Sequence, residues 1–139
     1  MAQKAATARN EQGTFLSTAF SSFSVDDLNT AKQFYGDKLG LEVKQQKEGL
    51  SINFIGGLEV FIYPKEDHSA ASFTVLNFPV DDIDEAADEL SRRGIKFEFF
   101  EGEIQTDLKG IFRGKETNKG PDIAWFKDPA GNYLSILEN

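Results

Sequence analysis

The chain states one phrase twice. Phe23-Ser24-Val25-Asp26-Asp27-Leu28-Asn29-Thr30-Ala31 returns 55 residues later as Phe78-Pro79-Val80-Asp81-Asp82-Ile83-Asp84-Glu85-Ala86, with the Phe, the Val, both Asp and the Ala unchanged. A period of this length marks a duplicated supersecondary unit, so the two halves are expected to share one order of elements. In the first half, Thr14 to Val25 alternates as a half-buried strand does. Asp26-Asp27 then opens a helix through Lys38, with Leu28, Ala31, Phe34 and Tyr35 on one face and Gly40 as its stop. Leu41–Gln46, Ser51–Ile55 and Leu58–Tyr63 follow as short strands, the last two joined through Gly56-Gly57. The second half is predicted to repeat this as strand Ser72–Val80, helix Ile83–Arg93, stop Gly94, and strands Ile95–Glu101, Asp122–Lys127 and Tyr133–Glu138. Each half reads β-α-β-β-β, and the whole is an α+β domain of eight strands and two main helices.

Both aspartate pairs are acidic enough to suggest chemistry, but their position assigns them a simpler role. Asp27 and Asp82 stand immediately before helical patterns, where a carboxylate satisfies free backbone N–H groups. Glu85, three residues after Asp82, fits a capping box. Asp128, in Asp128-Pro129-Ala130-Gly131-Asn132, is what a tight turn requires.

Composition excludes several classes. A length of 139 residues fits one domain with a real core. No apolar run approaches the roughly 18 residues of a membrane span. The net charge of −8 argues against nucleic acid, whose phosphates call for clustered Lys and Arg. With no Cys there is no disulfide, thiol nucleophile or thiolate metal site. Met1 to Gly13 is small and polar, a flexible tail rather than a secretory signal, and cytoplasmic residence is the default.

The phrase Ser24-Val-Asp-Asp-Leu-x-x-Ala-x-x-Phe-Tyr-x-x-x-Leu-Gly-Leu41, with Asp128-Pro-Ala-Gly-Asn-x-x-x-Ile-Leu-Glu138, resembles the vicinal oxygen chelate superfamily of glyoxalases, bleomycin-resistance proteins and dioxygenases. The resemblance covers residues 15 to 138. It implies two βαβββ modules, 14–66 and 71–138, forming a curved eight-stranded sheet around a cleft, commonly in a homodimer whose subunits complete each other's sites. It also implies where metal-dependent relatives keep ligands. The first such position is Phe20, seven residues before Asp27, and its repeat partner is Val75. Aligning the last strand of each module adds Glu59 and Ser135. Phe20 and Val75 donate nothing to a metal and Ser135 is a poor neutral ligand, so a metal-dependent glyoxalase or dioxygenase mechanism is rejected and no cofactor is expected. The single His, His68, lies in a charged linker and is read as exposed.

Strand alternation supplies the cleft lining: Phe20, Ser22, Ser24, Glu59, Phe61, Tyr63, Val75, Asn77, Tyr133, Ser135 and Leu137, with Trp125 on the adjacent strand. An aromatic, mostly apolar lining suits a small, partly aromatic or hydrophobic molecule, though the same Phe residues also serve as ordinary core. Glu59, between Leu58 and Val60, is either raised in pKa, paired or functional, unless the strand is one register off and the carboxylate is solvated. The glycine-rich segment from Lys109 to Gly120 carries four basic residues. It reads as solvated surface or as a lid whose Arg113 meets an anion. Two functions follow: a metal-free binding protein, or a metal-independent lyase or isomerase with Glu59 as base and Tyr63 or Tyr133 as acid.

Overall fold

A computed structural model describes residues 15–139. The expectations for Met1 to Gly13 fall outside the described residues. The strands are β1 (Ser21–Val25), β2 (Val43–Gln45), β3 (Leu50–Asn53), β4 (Glu59–Pro64), β5 (Thr74–Pro79), β6 (Ile111–Arg113), β7 (Asp122–Lys127) and β8 (Tyr133–Glu138). Helix α1 (Leu28–Lys32) continues as a π-helical turn over Gln33–Lys38, and α2 spans Ile83–Arg92. The strands form two four-stranded sheets of matching order, β1-β4-β3-β2 and β5-β8-β7-β6. In each, the first strand lies parallel to the last and the remaining pairs are antiparallel. The helix supplies the crossover that a parallel pair needs. Among the described residues no helix is long and apolar enough to cross a membrane.

The repeated aspartates cap their helices. Asp27 accepts from the Thr30 N–H at 3.1 Å and Asp82 from the Glu85 N–H at 3.0 Å, each cap contributing about 1 kcal/mol. Glu138, the end of β8, adds a second acceptor for α2 by taking the Ile83 N–H at 2.9 Å. Behind the caps, Ala31, Phe34 and Tyr35 of the first helical segment and Ile83 and Ala87 of α2 are buried.

One core serves both modules. Leu50, Ile52, Val60 and Ile62 from the first sheet and Leu76, Ala124, Phe126, Leu134 and Ile136 from the second belong to the same buried cluster as the helices. Contacts between modules lie on this helix side. Phe54 packs on Phe78 with ring centroids 6.1 Å apart, and Arg93 donates to the Lys38 and Leu39 carbonyls. The helix-covered faces of both sheets are therefore consumed internally, and the two opposite faces lie outside the core.

A polar joint closes one end of this core. Asp128 does more than shape its turn: its Oδ1 accepts from the Ala130 and Asn132 N–H groups, and its Oδ2 accepts from Tyr35 at 2.7 Å. Asn132 Nδ2 donates to the Ser24 carbonyl at 2.9 Å. His68 is half-buried in the same joint, with Nε2 3.0 Å from the Ala130 carbonyl and Nδ1 2.7 Å from the Ser24 hydroxyl. That corrects its reading as an exposed linker residue. The carbonyl can only accept, so Nε2 carries hydrogen and donates to it.

The predicted strand Ile95–Glu101 does not form. Only Phe97 bridges to β7, opposite Phe126, and Glu98 N donates to the Trp125 carbonyl. The chain then leaves the sheet and rejoins β7 as β6, opposite Ala124, Ile123 and Asp122. In the first module one unbroken strand, β2, covers the corresponding stretch of β3. The second module's edge strand is thus split by an excursion from Phe99 to Gly110. Gly110 permits the return: at φ +84° its Cα packs so close that an added Cβ would lie 2.9 Å from Phe97 Cβ.

Candidate functional site

The pleat divides each strand between core and open face. On β4, Val60 and Ile62 enter the core, while Glu59, Phe61 and Tyr63 share the opposite face. Phe61 and Tyr63 stack at 6.5 Å and 17°. Register brings Ser22 beside Phe61 from β1, and Ser51 and Asn53 beside Phe61 and Glu59 from β3. On the second module the open face carries Asn77 from β5, Tyr133, Ser135 and Leu137 from β8, and Trp125 from β7.

The register also corrects one alignment. Ser22 and Asn77 are repeat partners; Ser22 lies opposite Phe61, whereas Asn77 lies opposite Ser135. Phe61, not Glu59, is therefore the structural equivalent of Ser135, and Glu59 corresponds to Tyr133. Phe20 lies just before β1, 37% exposed, and Val75 sits at an irregularity between Thr74 and Leu76 where β5 gains a residue over β8. The four equivalent positions thus hold Phe20, Phe61, Val75 and Ser135. This donor set does not fit a divalent ion, which needs several convergent N, O or S ligands. Among the described residues no group of three His, Asp or Glu side chains could hold one.

Glu59 is 1% exposed, and neither carboxylate oxygen has a hydrogen-bond partner among the described residues. The register is as predicted and the solvated reading is wrong: the side chain shares a face with Phe61 and is buried there.

Arg113 lies elsewhere. On β6 it reaches the α2 side, where it pairs with Asp84 at 2.8 Å, Asp107 at 3.0 Å and Asp122 at 3.7 Å. Lys109 joins this cluster through Asp84 and Asp88. Hydrogen bonds from Arg113 first and Lys109 second hold the Asp84 carboxyl well below the usual carboxylate range. Three carboxylates already occupy the guanidinium, so it is not an open anion partner, and the segment from Lys109 is tied down rather than free as a lid.

The excursion of the second module builds a cavity instead. It brings Phe100 edge-on to Trp125, with ring centroids 5.6 Å apart, and is stapled by Thr106, whose N–H donates to the Phe100 carbonyl while its hydroxyl accepts from the Phe100 N–H. Between the excursion and the sheet lies a cavity of about 320 Å³ lined by Phe73, Thr74, Phe100, Ile104, Trp125 and Tyr133, with Glu101 at the rim. Lys127 Nζ stands 5.0 Å from the Tyr133 ring centroid, a cation against the aromatic wall. Phe73 is 69% exposed and Ile104 44%, leaving apolar surface at the mouth. Trp125 and Tyr133 were legible from alternation. Phe73, Phe100 and Ile104 were not, and the only sequence signal for them is the aromatic run Phe97-Glu98-Phe99-Phe100. A smaller apolar cavity of about 220 Å³ lies on the helix side near Leu39 and Leu41; its polar lining groups, Glu89 and Arg93, pair with each other.

Residues 18–136 match the family described as Glyoxalase/Bleomycin resistance protein/Dioxygenase superfamily. No curated protein matches the chain significantly. Among solved structures, a glyoxalase family protein from Enterococcus faecalis is 23% identical over 90% of this chain and 100% of that one, with a TM-score of 0.60. The fosfomycin resistance protein FosX from Listeria monocytogenes is 14% identical over 88% and 92%, with a TM-score of 0.61. TnmS3, an antibiotic binding protein from Streptomyces sp. CB03234, is 21% identical over 87% and 95%, with a TM-score of 0.58. At these identities the likeness is one of fold.

Proposed function

This chain belongs to the Glyoxalase/Bleomycin resistance protein/Dioxygenase superfamily, and from that premise we propose that it is a binding protein for a small, partly aromatic molecule, held without a metal ion. The observation that carries the proposal is the cavity walled by Phe73, Phe100, Trp125 and Tyr133. Its size and lining suit a planar ligand of one or two rings. The metal-free reading follows from Phe20, Phe61, Val75 and Ser135, which offer one neutral hydroxyl between them. The antibiotic-binding relative TnmS3 shows the scaffold in a binding role, and the ligand of this chain is its own question.

A homodimer completes the site in this proposal. Each chain uses its helix-covered faces in its own core, and Glu59 and Phe61 are already buried within the chain. The Trp125–Tyr133 face, with Phe73 and Ile104 exposed at its mouth, is the surface that a second copy can cover.

Glu59 supports a second reading, a metal-independent lyase or isomerase. A buried carboxylate with no hydrogen-bond partner among the described residues is free to take a proton from a substrate placed beside it. Tyr63 or Tyr133 would be its acid. Glu59→Gln separates the readings, because turnover needs the carboxylate while binding of a neutral aromatic does not.

The test is saturation-transfer NMR with a set of bicyclic aromatic fragments. Ring-proton signals that appear with the wild type and vanish in Trp125→Ala support the binding site. No signal, or signals unchanged in that variant, contradicts it.

A further inference from the structure

The smaller cavity lies between the two modules on the helix side, away from both open faces. Leu39 and Leu41 line it from the first module, and Phe78, Val80, Leu90 and Phe126 from the second. Phe126 is buried, whereas the other five are only partly covered, so apolar surface stays in reach of solvent. The volume of about 220 Å³ exceeds the roughly 150 Å³ of an apolar cavity that takes up benzene.

The polar member of this lining is a guanidinium held in place. Arg93 donates through Nη1 to the Lys38 and Leu39 carbonyls at 3.4 and 3.3 Å, and through Nε to Glu89 at 3.0 Å. Its Nη2 donates to no described residue. Glu89 is also shared, because its other carboxylate oxygen accepts from Arg92 at 2.8 Å. Among the charged lining side chains and their direct partner, one carboxylate therefore faces two guanidiniums.

We propose that this inter-module cavity is a second binding site, for a medium-chain monocarboxylate, with the alkyl chain against Leu39, Leu41, Val80 and Leu90 and the carboxylate on Arg93. The mainly aliphatic lining suits a flexible chain, and each methylene it removes from water adds affinity. The head group gains a charge-assisted bond to Nη2. Where it takes Nε as well, Glu89 keeps Arg92 and no carboxylate is left unpaired. The site is separate from the aromatic cavity and does not depend on it.

The test titrates octanoate and octylammonium, equal in chain length and opposite in charge, at concentrations below micelle formation. Binding is read from the methyl resonances of Leu39, Leu41, Val80 and Leu90, with the indole N–H of Trp125, the single tryptophan, as a reference for the aromatic cavity. Octanoate is expected to shift the methyls saturably and to bind about fivefold to tenfold more tightly than octylammonium. In Arg93→Gln the two should bind alike. Arg93 also ties the modules together, so Arg93→Lys, which keeps the charge, is the companion variant and should retain part of the preference. Ala86→Leu, which fills the cavity from α2, should weaken both compounds. No saturable methyl shift, equal affinities in the wild type, or a preference that survives Arg93→Gln overturns the assignment. A shift of Trp125 with the four methyls unmoved places the carboxylate in the aromatic cavity, which overturns this inference and leaves that cavity standing.

Discussion

The Tyr35 hydroxyl donates to Asp128 Oδ2 at 2.7 Å, joining a helix of the first module to a turn of the second across 93 positions of sequence. Burial above all, and then the Asp128 charge, push the Tyr35 phenol far above its usual range, so it remains a donor under all ordinary conditions. Tyr35→Phe leaves that oxygen with only the Asn132 amide, at 3.1 Å. The expected cost is about 1–3 kcal/mol, that of an under-satisfied buried carboxylate. Urea unfolding checks this; a loss below about 0.5 kcal/mol would mean the joint is not a structural tie.

The Asp84 cluster makes stability depend on acid. Arg113 and Lys109 depress the folded pKa of Asp84, so its contribution is present above the ordinary carboxylate value of about 4 and fades as pH falls from there toward the folded value. Glu138 acts in the same sense through Lys115 and the Ile83 N–H. Asp84→Asn should lower stability near pH 7 by no more than about 1 kcal/mol, because solvent screens a half-exposed carboxylate. The gap to wild type should narrow steadily as pH falls from about 4 toward 2 and shrink in high salt. A gap independent of pH assigns the loss to packing.

Glu59 should be a stability liability. Replacing a buried carboxylate that has no hydrogen-bond partner among the described residues with an apolar side chain of similar volume removes an unmet desolvation cost. Glu59→Leu is expected to raise the unfolding free energy by about 1–3 kcal/mol, measured by urea titration. Destabilisation of similar size would show that Glu59 is paired in the folded protein and would weaken its candidacy as a base.

The dimer proposal is read by sedimentation equilibrium together with the fragment titration. A dimer is expected, and dilution below its dissociation range should reduce fragment affinity. A monomer with undiminished affinity refutes the shared site.

Much of the fold was legible because the features that fix it are local. The Asp27 and Asp82 caps, the helix faces and the alternation of Glu59, Phe61 and Tyr63 are set by neighbours within a few residues. Pairing across strands was less accessible. The hairpin loop from Phe54 to Leu58 and the turn from Asp128 to Asn132 differ in form, so aligning the strands that follow them by sequence placed Glu59 where register places Phe61. The excursion from Phe99 to Gly110 was hidden for a related reason: Ile95 to Glu101 has strand composition, but only Phe97 finds a ladder partner. That same excursion builds the cavity, so the sequence reading named Trp125 and Tyr133 and missed the residues opposite them. Arg113 and His68 were misplaced because their partners, Asp84 and Ala130, lie far along the chain.

The most direct test of metal-free aromatic binding is the indole N–H resonance of Trp125 during titration with 1-tetralone, recorded with and without excess EDTA. The same saturable shift is expected in both. An unmoved resonance, or a shift abolished by the chelator and restored by a divalent ion, would contradict the proposed function.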